Sequence, residues 1–430
     1  MTDSNRRCGQ CKPWEHRLSR RQWLGGAAAG ACALGGWTNP AVAAEVKQKS
    51  KQVLFIWLDG GMSQFESWDP KPESEFGGPF RPIETSVPGI RISELMPRTA
   101  KQMHHLAIAR SMCTKDENHS SAVGRIQRGD PKNRGVVYPF FGSAFTRLSP
   151  PNPSGMPPYV WIKPGSGGFI YQDAGFLGPK YGALAFGNGK PPENLVRHPS
   201  LSDAEVNDRT KLRLLADQRY AKSHKPEAMQ ANSFVFDMGL EMMKHQDLFD
   251  ESAYTPRDIE RYGKHDLGRH MLLARRMLQA GVGFVKVNSY GWDSHGDNFN
   301  GHLTRVPRFD QAFGSIIEDL AEAKMLDDVL VIVMSEFGRT PRINGNLGRD
   351  HWPESWSLAM AGCGVKRGVA VGETNARGTF VKGEGYDIGH MFHTWFTALG
   401  IDPKKIEYDN HGQPLPIAHD ECKAVKELLA

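Results

Sequence analysis

The sequence predicts an α/β protein built on a doubly wound, mostly parallel sheet, and three observations support this fold class. Apolar runs of strand length alternate with stretches of helical length, which is the pattern of βαβ units. Polar segments follow the apolar runs, at the edge where such sheets bind ligands. The 430 residues include 39% hydrophobic side chains, and no linker divides the chain. We therefore expect one domain over residues 45–430.

Four runs in which apolar side chains dominate are predicted to be strands buried on both faces of the sheet. They are residues 53–58, 106–109, 284–287 and 329–334. A helix is predicted at residues 257–280, and another at 304–324, where apolar side chains recur at three- and four-residue steps. Residues 130–205 are rich in proline and glycine, and we expect an irregular insertion or lid that shapes substrate choice.

The first 44 residues are predicted to be a twin-arginine export signal. Ser19 to Leu24 resembles the twin-arginine motif, an apolar run from Gly25 to Gly36 follows, and Ala41-Val42-Ala43 suits cleavage. An uncleaved anchor would share most of these features, but the run is too short to span a bilayer stably. We expect a periplasmic or secreted protein that meets the twin-arginine translocation machinery, with no stable membrane span in the mature chain.

The positive charge of the chain is concentrated in this first segment. The formal net charge is +5, but residues 1–44 contain six Lys or Arg and two Asp or Glu, which leaves 47 basic against 46 acidic residues. A nearly neutral body does not indicate the basic surface that nucleic acids need, so no nucleic-acid partner is expected.

Acids and histidines follow the predicted strands where these end. In open α/β sheets, ligands bind beyond the carboxyl ends of the strands, so these side chains are expected to meet in one crevice. Carboxylates crowded there repel one another unless a cation neutralises them, and mixed Asp, Glu and His ligands suit zinc, manganese or calcium. The predicted set is Asp59, Asp293, His295, Glu336 and His351.

Each member of this set also has an ordinary structural explanation. Asp59 precedes two glycines and would equally well cap a turn. His295 or His351 alone would more often be a hydrogen-bonded structural histidine. Glu336 would form a salt bridge with Arg339. The position of every member just after an apolar strand favours the metal site over these alternatives.

Five motifs extend over nearly the whole mature chain: Leu58-Asp59-Gly60-Gly61-Met62-Ser63, Trp68-Asp69-Pro70-Lys71, Gly291-Trp292-Asp293-Ser294-His295, Ser335-Glu336-Phe337-Gly338-Arg339-Thr340-Pro341 and Asp350-His351-Trp352. Together they resemble an exported bacterial family catalogued as domain of unknown function 1501, which is similar to the sulfatases of the alkaline phosphatase superfamily. The resemblance implies a three-layer α/β/α fold and a site for two divalent metal ions.

The resemblance also implies roles for individual residues. Asp59 and Glu336 would bind one ion, and Phe337 replaces a histidine of the superfamily pattern next to Glu336. The other ion would have ligands from two later motifs, namely Asp293, His295 and His351, with Asp350 as a further ligand or as the partner that orients one.

The resemblance places the nucleophile at a helix N-terminus, in the stretch from Asn118 to Ser121. Ser120 or Ser121 would attack phosphorus or sulfur, and His119 would contact metal or substrate. Neither serine fits the Cys/Ser-x-Pro/Ala-x-Arg sequence of formylglycine sulfatases, which argues against a standard enzyme of that kind. Three arginines are expected to grip the oxyanion of the substrate: Arg110, Arg125 and Arg339.

These features predict an exported metal-dependent hydrolase of phosphate or sulfate esters, acting on a small molecule or a polysaccharide. The alternative is a catalytically inactive relative that binds a sulfated or phosphorylated polysaccharide, which Phe337 and the poorly defined nucleophile favour. A structural partner of an exported complex is a third hypothesis, suggested only by the long insertion.

Overall fold

Nine strands form the central sheet, and most of them run in one direction. The computed structural model describes residues 51–129, 134–150, 154–191, 195, 197–222 and 226–430. The strands are β1 (Gln52–Leu58), β2 (Leu106–Met112), β3 (Tyr159–Lys163), β4 (Gly168–Ile170), β5 (Ala183–Gly187), β6 (Phe284–Ser289), β7 (Val329–Met334), β8 (Trp356–Ala361) and β9 (Val369–Val371). Within this sheet β8 and β4 run against the others, so the prediction of a mostly parallel sheet is confirmed.

The order of the strands is β9-β2-β8-β7-β1-β6-β3-β5-β4. The first strand of the chain lies at the centre, because β1 pairs in parallel with β7 on one side and with β6 on the other. The carboxyl ends of these three strands therefore lie side by side. The segments that follow them carry most of the predicted metal ligands.

Helices and short hairpins complete the described part of the chain. The helices are α1 (Pro97–Lys101), α2 (His119–Arg128), α3 (Phe141–Leu148), α4 (Asp203–Ala221), α5 (Pro226–Lys244), α6 (Pro256–Tyr262), α7 (Asp266–Gln279), α8 (Asn298–Glu322) and α9 (Ile388–Ala398). The two-stranded hairpins pair Pro82–Glu84 with Arg91–Ser93, Gly338–Arg339 with His351–Trp352, Glu373–Thr374 with Val381–Lys382, and Glu407–Asn410 with Gln413–Pro416.

The sheet is the middle of three layers, because successive side chains of β1 enter two different cores. Leu54 and Ile56 pack in the core that contains the apolar faces of α7 and α8. Phe55 and Trp57 point the other way, into the core formed with α3 and α9. Alternation of side chains along a strand requires this arrangement when both faces are apolar. The predicted three-layer α/β/α fold is confirmed.

The four predicted strands are present, and the helix predicted at residues 304–324 is α8. The helix predicted at residues 257–280 is instead two helices, α6 and α7. Gly263 ends α6 with a φ of +90°, a backbone conformation that residues with a Cβ rarely adopt.

The stretch 130–205 differs from the irregular insertion that its composition predicts. Its described part contributes helix α3 and the three strands β3, β4 and β5, which form one edge of the central sheet. These strands have three to five residues, between turns rich in glycine. Segments this short contain too few residues for a periodic pattern to be recognised.

The predicted export signal, residues 1–44, lies outside the described residues. The described residues, from 51 to 430, belong to one compact unit. In the part of the chain that the structure describes, no helix is both long enough and apolar enough to cross a membrane.

Candidate metal centre

The segments after β1, β6 and β7 meet at the carboxyl edge of the sheet. The amide N–H of Gly60 donates to Oε1 of Glu336 at 2.9 Å, and Trp292 N donates to the Asp59 carbonyl at 3.3 Å. Gly60 has a φ of +112°, and a Cβ there would lie 2.5 Å from the backbone nitrogen of Asp293. Glycine at this position allows the segment after β1 to approach the segment after β6 this closely.

The side chain of Arg339 is fully buried and contacts the segments after β1 and β6. Its guanidinium donates to the carbonyls of Gly60 and Gly61 and to Oδ1 of Asp293, the last at 2.5 Å. Another N–H of the Arg339 guanidinium donates to the carbonyl of Arg349. The predicted role of Arg339 in gripping a substrate is therefore corrected: its donors are directed at the protein, where they fix the loop and the Asp293 carboxylate.

Asp293, His295 and His351 form the tightest group of the centre. Oδ1 of Asp293 lies 3.1 Å from Nε2 of His295 and 3.2 Å from Nε2 of His351. The two Nε2 atoms lie 2.9 Å apart. Burial raises the pKa of Asp293, but the hydrogen bond and charge of Arg339 outweigh it and lower that pKa on balance, so the carboxylate is ionised at neutral pH.

The outer hydrogen bonds of the two histidines fix which nitrogens face each other. Nδ1 of His351 lies 2.6 Å from the carbonyl of Glu117, which only accepts, so this nitrogen carries the proton. Nδ1 of His295 lies 2.7 Å from Oδ1 of Asp350, and the hydrogen bond from His295 is the first cause that lowers the pKa of Asp350. Asp350 is thus the orienting partner of His295 in this structure.

His119 lies between this group and Glu336. Its Nδ1 is 2.8 Å from Oε1 of Glu336, and its Nε2 is 3.4 Å from Oδ2 of Asp293. The hydrogen bond to Glu336 is the largest cause that raises the pKa of His119. A protonated His119 would therefore bridge the two carboxylates. It is the first residue of α2, whose N-cap Asn118 accepts from the amide of Ser120.

Asp59 and Glu336 lie on the more buried side of the centre. Burial, followed by the charge of Glu336, raises the pKa of Asp59 to about 6. Oδ2 of Asp59 lies 3.5 Å from the side-chain amide of Asn288. Glu336 is 0% exposed, and its Oε2 has no hydrogen-bond partner among the described residues.

Two features of this donor set fit a divalent cation. With their Nδ1 protons directed outward, His295 and His351 present lone pairs to each other at 2.9 Å, an arrangement that repels unless a proton or a metal ion lies between them. Four-coordinate zinc at 2.0–2.1 Å from each ligand separates neighbouring ligand atoms by about 3.3 Å, close to the distances found here. The unpartnered Oε2 of Glu336 is a second ready ligand atom.

A group able to hold a metal ion is formed by His119, Asp293 and His351, whose ligand atoms all lie within 4.8 Å of one another. His295 adjoins this group through its contacts with Asp293 and His351. The structure thus brings together every residue of the predicted set near one edge of the sheet. His119, for which the resemblance implies contact with metal or substrate, lies in the same group.

The two predicted serine nucleophiles are not directed into this group. Ser121 donates to Oδ1 of Asp116 at 2.9 Å, at the start of α2. Ser120 is exposed, and among the described residues no hydrogen bond joins its hydroxyl to His119, Asp293 or His351. The side chain of this stretch that reaches the acids is His119, because the first helical position faces the sheet edge.

The other two predicted substrate arginines also make contacts within the protein. Arg125 donates to the carbonyl of Thr114 and to the carboxylate of Asp387. Arg110 donates to the carbonyls of Trp68 and Arg91. Both guanidinium groups thus connect neighbouring segments of the protein, and their contact with a substrate stays a prediction.

Sequence reasoning missed Asn344, which supports the centre from a loop. Its side-chain amide donates to Oδ1 of Asp350 at 2.9 Å and to the carbonyl of His295 at 3.0 Å. The only local signal was an Asn-Gly pair, which indicates a turn and carries no information about a distant histidine. Phe337 stacks on the His351 ring with centroids 4.3 Å apart, so it packs against the ligand instead of supplying one.

Known proteins resemble the chain in sequence and in structure. The model of the family described as "Protein of unknown function (DUF1501)" matches residues 50–429. No curated protein matches the sequence.

Solved structures match the chain at low sequence identity. Ps i-CgsB in complex with k-i-k-neocarrahexaose is 10% identical with a TM-score of 0.40, over 85% of this chain and 74% of its own. An alkaline phosphatase superfamily protein from Vibrio parahaemolyticus is 13% identical with a TM-score of 0.34, over 90% and 76%. The lipoteichoic acid synthase LtaP from Listeria monocytogenes is 10% identical with a TM-score of 0.34, over 91% and 81%.

Proposed function

We propose that this chain, which belongs to the DUF1501 family, is a metal-dependent hydrolase of phosphate or sulfate esters. We expect it to act in the periplasm or outside the cell. The single observation that supports it most is the facing pair of imidazole nitrogens of His295 and His351 beside the Asp293 carboxylate. Such an arrangement is characteristic of ligands that share a cation.

Two groups of residues would hold divalent ions. Asp293, His295 and His351 would hold one ion, and Asp59 with the free Oε2 of Glu336 would hold a second. A divalent ion bound there supplies positive charge that offsets the negative charge developing on phosphoryl or sulfuryl oxygens. Zinc, manganese and calcium all fit this mixture of carboxylate and imidazole ligands.

The protein's own residues orient these ligands and handle a proton. Arg339 and Asp350 fix Asp293 and His295 in place, which sets the geometry before substrate arrives. Nδ1 of His119 faces Glu336, its Nε2 faces Asp293, and the side chain is 35% exposed. We propose that Nε2 of His119 delivers a proton to the leaving-group oxygen of the ester, because its ring lies between the two groups of proposed ligands.

A non-catalytic binding protein for sulfated or phosphorylated polysaccharide is the second candidate function. The position of Ser120 and Ser121 favours it, because neither hydroxyl makes a described contact with the acids and histidines. The two functions differ in one measurable respect. Binding of polyanion by a non-catalytic protein needs no turnover, whereas a hydrolase releases phosphate or sulfate.

The test measures metal content and turnover on the purified, exported protein. We expect bound divalent metal, together with hydrolysis of an aryl phosphate or an aryl sulfate that stops on chelation and returns with metal. His351→Ala is expected to lose most of both, and His411→Ala, at an exposed histidine of the last hairpin, should lose neither.

Absence of metal and of turnover on both substrates would end the proposal. Metal-independent binding of a sulfated polysaccharide without turnover would favour the second candidate instead.

A further inference from the structure

Helix α4 has an exposed face on which acidic and basic side chains lie on opposite sides of two leucines. None of its 19 residues is buried. Leu212 and Leu215 lie in the middle and are 66% and 53% exposed. Acidic side chains precede them and basic ones follow them along the same face: Glu205 and Asp208 before, Arg219 and Lys222 after.

These six residues form one line along the helix, which we call the α4 seam. They are separated by alternating steps of three and four residues, the spacing that keeps side chains on the contact line of paired helices. The opposite face packs on α5, since Arg213 bonds Asp237 at 2.9 Å and Asp217 accepts from Ser233 at 2.9 Å. The seam therefore points away from the rest of the described chain.

We propose that the α4 seam is a dimer contact between two copies of this protein, with the two helices antiparallel. A two-fold axis midway between Leu212 and Leu215 places Leu212 of one copy against Leu215 of the other. The same axis sets Asp208 against Arg219, and Glu205 against Lys222. Every contact is then apolar against apolar or acid against base, as an isologous interface requires.

The pairing is specific to a second copy with this orientation. A parallel pairing would place acids against acids at one end and bases against bases at the other. Among the described residues, the one ion pair of Asp208 is with Lys211 at 3.1 Å, and both side chains are exposed, so the Asp208 carboxylate can also pair with a second copy. A helix of 19 residues is about 28 Å long and offers less area than a permanent interface, so we expect a reversible dimer.

Charge exchange tests the proposal on the full exported chain. Asp208→Lys alone and Arg219→Glu alone each place like charges together twice per dimer, and we expect sedimentation velocity to show association weakened roughly tenfold or more. An equal mixture of the two variants restores both opposite pairs and should associate as the wild type does. These substitutions spare Glu205, which belongs to the capping box of the helix.

Leucine substitutions distinguish a specific contact at the α4 seam from nonspecific hydrophobic association. Leu212→Ser is expected to abolish association, while Leu214→Ser, an exposed leucine on another face of the same helix, should leave it unchanged. Circular dichroism and bound metal establish that each variant is folded. A wild type that stays monomeric up to about 200 μM, or single charge variants that associate as the wild type does, would overturn the proposal.

Discussion

Proton positions on two imidazole rings decide what this site can bind. Because Glu117 and Asp350 fix the Nδ1 protons of His351 and His295, both Nε2 lone pairs point at Asp293. A carboxylate behind a ligating histidine typically contributes 10- to 100-fold to metal affinity. We therefore expect Asp350 to support metal affinity through the orientation of His295.

We predict that Asp350→Asn weakens metal binding by about 10- to 100-fold, because the amide orients His295 with a weaker hydrogen bond and no charge. Competition with a chromophoric chelator measures the affinity. Asp327→Asn, at an exposed acid paired with Arg367, is the matched control and should bind metal normally. Equal affinity of the Asp350 variant and the control would show that Asp350 does not support the centre.

Asp59 makes the stability of the metal-free protein depend on pH. Its folded-state pKa of about 6 lies above the ordinary 3.8, so the folded state holds the proton more tightly than the unfolded state. The stability this contributes is complete below about pH 4 and is lost as pH rises through 6. At full loss it amounts to about 3 kcal/mol, since one pKa unit corresponds to about 1.4 kcal/mol.

We therefore predict that Asp59→Asn gains stability relative to wild type as pH rises from 4 to 7 in the presence of a chelator. Urea unfolding at several pH values measures the difference in free energy between the two proteins. Metal should reverse the trend, because the bound ion favours the ionised carboxylate. A difference that stays constant with pH would show that Asp59 is not strained by its surroundings.

At the scale of elements, the turn after β1 determines whether the three acidic segments can meet. Gly60 lies against the backbone of Asp293, and its amide donates to Glu336. A side chain here would push the turn away from both. The backbone would also be strained, because its φ is positive.

Gly60→Ala is expected to destabilise the protein by about 3 kcal/mol or more and to abolish metal binding, since a clash with backbone adds to the strain. Gly383→Ala is the matched control, because that glycine also has a positive φ but nothing lies within 4 Å of the added carbon. This control variant should lose only about 1–2 kcal/mol of stability, from backbone strain, and should retain metal. Thermal unfolding and metal content distinguish the two variants.

At the scale of the whole molecule, the proposed metal site depends on a finished fold. The residues proposed as its ligands come from sequence positions as far apart as Asp59 and His351, so we expect metal to bind only after the sheet has formed. The twin-arginine route carries proteins that are already folded, which suits such a centre.

We predict that replacing Arg20 and Arg21 together by lysine keeps the protein in the cytoplasm, because the translocation machinery reads the arginine pair. Cell fractionation followed by immunoblotting measures the distribution. The double variant should still contain metal if loading precedes export. Unchanged export would show that another route carries the protein.

The sequence by itself determined the fold class and predicted which acids and histidines lie at the carboxyl edge of the sheet. Runs such as residues 53–58 and 329–334 reveal strands because apolar periodicity is local, and Asp59 and Glu336 follow directly from where those strands end. Only the tertiary structure decided that Arg110, Arg125 and Arg339 bind the protein itself, and that His119 reaches the acids while Ser120 and Ser121 do not. Those outcomes depend on which loops touch across the sheet edge and on the direction of each side chain, and no spacing along the chain encodes either.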